Sequence, residues 1–66
     1  MNWDQIEGKW KEMTGAAQKR WGKLTDDDLA QIKGNRRELA GKIQTAYGVT
    51  KEEAEKQVDA WASETR

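Results

Sequence analysis

Six glycines stand in two heptad ladders, Gly8, Gly15, Gly22 and Gly34, Gly41, Gly48, and the second ladder repeats the first 26 residues later. No other feature constrains the fold as much. A glycine inside a helix costs roughly 1 kcal/mol relative to alanine, so each of the six must end a helix, admit a close neighbour or be carried at a loss. The same offset aligns Ile6 with Ile32, Glu12 with Glu38 and Gln18 with Gln44, and sets Met13 against Leu39 and Trp21 against Tyr47. The chain therefore reads as an internal duplication.

Between the glycines, Trp3, Ile6, Trp10, Met13, Ala17, Trp21 and Leu24 recur at spacings of three and four, the mark of one apolar stripe on a helix. In the second copy Leu29, Ile32, Leu39, Ile43, Ala46 and Tyr47 keep the same phase, and Arg36 interrupts the stripe where the first copy has Trp10. The glycines fall on the side away from the stripe. The spacing predicts helices over 3–21, 26–34, 36–47 and 51–62, the first broken near Gly15 and the last placing Ala54, Val58, Trp61 and Ala62 on its buried face. Ser63 to Arg66 are expected to fray.

Both copies end in the same punctuation. Gly22 and Gly48 read as helix stops in the left-handed conformation, and Thr25 and Thr50 as caps of the helices that follow. Asp28 and Glu53 stand three residues on, where they complete capping boxes, and Leu24 with Leu29 and Val49 with Ala54 have the spacing of hydrophobic staples. These signals describe an all-α fold of four to five short helices, arranged as two duplicated helical hairpins that bury their apolar sides against each other.

Sixty-six residues make one domain, spanning residues 1–66, and leave little room for a large enclosed active site. Charged residues reach 36%, a balance that leans toward disorder, but four tryptophans and one tyrosine supply the bulk of a small core. Twelve basic and twelve acidic side chains cancel, so no general field draws nucleic acid or membrane. Locally the balance tilts: residues 1–24 carry five basic and three acidic groups, and residues 51–66 carry three basic and five acidic. With neither histidine nor cysteine, the commonest catalytic bases, thiolate nucleophiles and zinc ligands are missing. Asp26, Asp27 and Asp28 are consecutive on a helix, so their side chains fan over about 200 degrees rather than converge on a cation; capping is the better account. The glycine spacing matches neither the dinucleotide fingerprint nor the P-loop. No catalytic residue, metal or cofactor is expected. The chain has no basic leader followed by an apolar run and no 18 consecutive apolar residues, so it reads as soluble and unprocessed; the lack of cysteine suits a reducing cytoplasm, and cytoplasmic location and a monomeric state are the default expectations.

One binding chemistry is suggested directly. Lys9, Lys11, Lys19, Arg20 and Lys23 flank Trp10 and Trp21, and Lys33, Arg36 and Arg37 form a second basic group. Basic charge beside aromatic rings suits phosphate contact with base stacking, so a weak nucleic-acid binding module is the alternative function. Against it, both tryptophans lie on or next to the apolar stripe, and Glu7, Glu12 and Glu38 dilute the field.

The run MNWDQIEGKWKEMTGAAQKRWGKLTDDDL, followed by GKIQTAYGVTKEEAEKQVDAW, resembles the CsbD-like family of small bacterial stress-response proteins across essentially the whole chain. Asn2-Trp3, Gly8-Lys9-Trp10, the run Trp21 to Asp27, Gly41-Lys42-Ile43-Gln44 and Tyr47-Gly48 carry the resemblance. It implies a bacterial protein induced under general stress, with no established biochemical activity. It also implies two roughly orthogonal hairpins similar to SAM-like domains. Ala16 and Ala17 depart from the commoner pattern of a charged or larger apolar residue there. The main functional expectation is a non-enzymatic role in binding or protecting another macromolecule under stress.

Overall fold

Periodicity of three and four residues, with no proline to interrupt it, produces helices and nothing else among the described residues, 3–64 of the computed structural model. They are α1 (Trp3–Gly8), α2 (Trp10–Arg20), α3 (Asp26–Ile32), α4 (Arg36–Tyr47) and α5 (Lys51–Glu64), an all-α chain as expected. The most extensive helix pair is α4 with α5, joined by Gly48-Val49-Thr50. Ser63 and Glu64 continue α5 where fraying was expected, and Thr65 and Arg66 lie outside the described residues.

The first helix breaks at Lys9 and not near Gly15. Lys9 has φ −111° and ψ 20°, outside helical geometry, and its amide is shared between the carbonyls of Gln5 and Ile6. Gly15 lies within an unbroken α2. Shifted by 26 residues, the break at Gly8-Lys9 becomes the junction at Gly34-Asn35, so the repeated unit is a short helix, a glycine turn and a long helix.

Caps explain most of the other boundaries. Thr25 and Asp28 form a complete capping box: the Asp28 amide donates to Thr25 Oγ1 and the Thr25 amide to Asp28 Oδ2, both at 3.1 Å. At Thr50 only the hydroxyl half is present, taking the Glu53 amide at 3.1 Å, because the Glu53 carboxylate instead accepts from Gln57 Nε2. Asn35, with no cap role assigned from sequence, takes the Glu38 amide at 3.1 Å and starts α4. Gly48 stops α4 in the left-handed region, with φ 67°. Gly22 does not act this way. α2 ends against Trp21, with φ −124°, and α3 ends on Lys33, which takes φ 54° itself.

Gly34 has a role of its own. It is buried with φ 80°, contrary to a glycine ladder lying wholly away from the core, and a Cβ placed there would stand 2.8 Å from the Glu7 Cα and 3.2 Å from the Trp10 Cβ. The α3–α4 turn is thus pressed against α1, where the Gly34 carbonyl accepts from Trp3 Nε1 at 2.7 Å.

The core is wholly apolar. Ile6, Trp10, Ala17, Trp21 and Leu24 meet Leu29, Ile32, Leu39, Ala40, Ile43, Ala54, Val58 and Trp61 in one cluster. Trp61 is its hub: the rings of Trp3, Trp10 and Trp21 approach it edge-on, with centroids 6.3, 6.3 and 5.4 Å away. Tyr47, aligned with Trp21 by the duplication, is 36% exposed, and its hydroxyl accepts from the Lys23 amide at 3.1 Å.

The glycines should therefore separate on mutation. Gly34→Ala should destabilise by about 2 kcal/mol or more, from strain at positive φ and the contact with α1. Gly15 and Gly41 face open space inside helices, so Gly15→Ala and Gly41→Ala should each stabilise by about 0.5–1 kcal/mol. Urea denaturation of the three variants reads the difference.

Candidate functional site

The eight basic residues picked out from sequence are divided between two helices and the segments that join the elements. Lys9 sits at the α1–α2 break; Lys11, Lys19 and Arg20 lie on α2; Lys23 follows it; Lys33 closes α3; Arg36 and Arg37 open α4. Three of the eight are already engaged. Arg36 forms a two-pronged pair with Asp59 of α5, Nε to Oδ1 and Nη2 to Oδ2 both at 3.0 Å, with Glu55 4.0 Å away. Arg20 lies 5.6 Å from the centre of the Trp21 ring, and Lys23 Nζ lies 5.1 Å from the centre of the Tyr47 ring. Lys9, Lys11, Lys19 and Arg37 make no ion pair or side-chain hydrogen bond among the described residues.

The aromatic half of the stacking arrangement is not on the surface. Trp10 is 7% and Trp21 1% exposed. Each indole N–H is spent internally: Trp10 Nε1 donates to the Leu29 carbonyl at 2.8 Å, and Trp21 Nε1 to Gln57 Oε1 at 3.0 Å. Rings enclosed in this way cannot stack on bases while the fold is intact. What the surface offers a polyanion is separate cations.

One pairing of the two basic groups does occur. Lys11 and Lys33 border a groove of about 490 Å³ between α2 and α3, with Trp10, Leu29 and Ala30 beneath them. Thr14 and Asp26 complete its walls. Asp26, Leu29 and Ala30 stand at i, i+3 and i+4, one face of α3, with Lys33 the left-handed residue that closes the helix, and that spacing is the signal from which the groove was legible. Arg37 instead lines a separate depression of about 400 Å³ with Glu38, Gly41, Lys42 and Thr45.

The acidic run at the start of α3 behaves as a cap. The Thr25 backbone amide holds the Asp28 carboxyl below its ordinary value of 3.8, assisted by the Thr25 hydroxyl and by Lys42, whose Nζ is 3.5 Å from Oδ1, and opposed by desolvation. Among the described residues no three acidic side chains gather where they could hold a metal ion. No helix among them is long and apolar enough to cross a membrane.

Comparison with known proteins identifies relatives along most of the chain. The family described as CsbD-like matches residues 4–56. UPF0337 protein YjbJ of Escherichia coli K12 is 52% identical over 66 residues, covering 100% of this chain and 93% of the relative. A UPF0337 protein of Pectobacterium atrosepticum is 56% identical over 61 residues, covering 92% and 88%. One from Protochlamydia amoebophila is 54% identical over 57 residues, covering 86% of each. The chain belongs to the CsbD-like family.

The Asp28 cap yields a pH dependence of defined sign. Its folded value lies below its unfolded one, so the stabilisation it gives is present above the ordinary carboxylate range and is lost as pH falls through the folded value. Asp28→Asn should therefore flatten the decline in stability below about pH 5. Thermal midpoints of both proteins across that range test it.

Proposed function

We propose that this member of the CsbD-like family is a non-enzymatic component of the general stress response that binds or protects another macromolecule while folded. The observation that carries this reading is the chemistry of the interior. No polar or charged side chain is buried among the described residues. General acid–base and nucleophilic catalysis draw on ionisable groups tuned by burial or by a charged neighbour, and the lowering at Asp28 is accounted for by a helix cap. A firmly held apolar core beneath a mixed-charge surface suits recognition better than turnover.

A second reading, a weak nucleic-acid binding module, is favoured by the unengaged Lys9, Lys11, Lys19 and Arg37. With the tryptophans enclosed, such binding would rest on phosphate contacts alone and fall steeply with salt.

One comparison separates these roles. Aggregation of a heat-labile enzyme should be suppressed by the native protein and not by an equal mass of a Trp61→Ala variant that has lost its fold. Equal suppression by both would contradict binding by the folded state and indicate bulk hydration. If neither suppresses aggregation and duplex DNA binds saturably at low salt only, the second reading replaces the first.

A further inference from the structure

The α2–α3 groove is charged unequally along its length. Its order follows from the packing: Trp10, at the start of α2, donates to Leu29, and a Cβ on Gly34 would meet the Trp10 Cβ, so the start of α2 lies beside the end of α3. Lys11 and Lys33 therefore share one end, next to Trp10 and Gly34 respectively. Asp26, seven residues before Lys33 at the start of α3, marks the other. None of these three side chains makes an ion pair or side-chain hydrogen bond among the described residues. The floor between the ends is the exposed Ala30 and the narrow edge of Trp10 that stays accessible, with Leu29 buried beneath them.

We propose that this groove binds a free amphipathic monocarboxylate, with its carboxylate between Lys11 and Lys33 and its apolar body along Ala30 and the accessible edge of Trp10. Charge complementarity sets the orientation and the class. Two unengaged ammonium groups attract one anionic head, whereas Asp26 repels a second anion at the far end. At about 1.5 Å of rise per residue, the distance from Lys33 to Asp26 is roughly 10 Å, which accommodates a chain of about eight carbons. The volume of about 490 Å³ falls among those of small-molecule sites. This site is independent of the macromolecular role proposed above, since it takes a monomeric ligand in solution.

The test uses the whole protein labelled with nitrogen-15 and titrated with octanoate well below its micelle-forming concentration. Saturable shifts should be confined to the Lys11, Thr14, Ala30 and Lys33 amides and the Trp10 indole. A variant carrying K11E and K33E should weaken binding by about tenfold or more, because two attractive contacts become repulsive. Unmoved Trp21 and Trp61 indole signals in that variant establish that its fold is kept. Octanedioate should bind more weakly than octanoate, and uncharged octanol should also bind more weakly. The proposal is overturned if octanedioate or octanol binds as tightly as octanoate, if the shifts spread over the surface, or if phospholipid vesicles and not free octanoate produce them.

Discussion

Everything in this fold leans on the indole of Trp61. It belongs to the last helix, yet the rings that meet it come from the start of α1, the start of α2 and the residue that ends α2. In a chain of 66 residues, where the buried fraction of surface is small, three indole rings gathered on a fourth supply much of the apolar area available. The edge-on geometry also leaves indole N–H groups free to point outward. Those of Trp3, Trp10 and Trp21 reach Gly34, Leu29 and Gln57, and so tie the aromatic cluster to the α3–α4 turn, to α3 and to α5. Burying such a donor without a partner would cost about 1–3 kcal/mol; no buried side-chain polar atom among the described residues lacks one.

The duplication supplies two similar units, and the fold uses them differently. Trp10 and Arg36 hold equivalent positions, and both address α5: the ring packs on Trp61, and the guanidinium grips Asp59. One contact is core and the other surface. Trp10 is almost fully buried, whereas the Arg36 pair is open to solvent and contributes at most about 1 kcal/mol. Trp21 and Tyr47 diverge likewise, the first enclosed beside Trp61 and the second left to accept from Lys23. An asymmetric core follows from having only one α5 for two copies to pack against.

Helical class, the Thr25 and Thr50 starts, the Gly48 stop and most of the core were legible in the residues, because periodicity and capping act locally. The helix break was legible too, but only through the repeat: the boundary between residues 34 and 36, moved back by 26, falls at 8 to 10, while Gly15 alone suggested another place. The close approach of Gly34 to α1 was not legible, since it depends on how two turns meet across the fold. Nor was the loss of Arg36, Arg20 and Lys23 from the candidate basic surface. Arg36 and Lys23 reach partners on other elements, of which spacing within one helix carries no trace, and Arg20 turns onto the neighbouring Trp21 ring. The groove between α2 and α3 shows both limits. Its α3 wall has a readable i, i+3, i+4 pattern, and its facing wall required the hydrogen bond from Trp10 to Leu29 to set the register.

Function follows the same division between a spent interior and an available surface. The tryptophans that suggested base stacking are structural, and the cations left unengaged are spread over the α1–α2 break, α2, the end of α3 and the start of α4. Any recognition by this CsbD-like protein must therefore work through a surface that Trp61 holds in place. The most direct measurement is chemical denaturation of Trp61→Ala, with the indole signals of Trp3, Trp10 and Trp21 recorded alongside. Loss of about 3–5 kcal/mol, enough to unfold a domain of this size, with collapse of all three signals to the unfolded position, is the predicted result. A loss below about 1 kcal/mol, with the three signals unmoved, would contradict it.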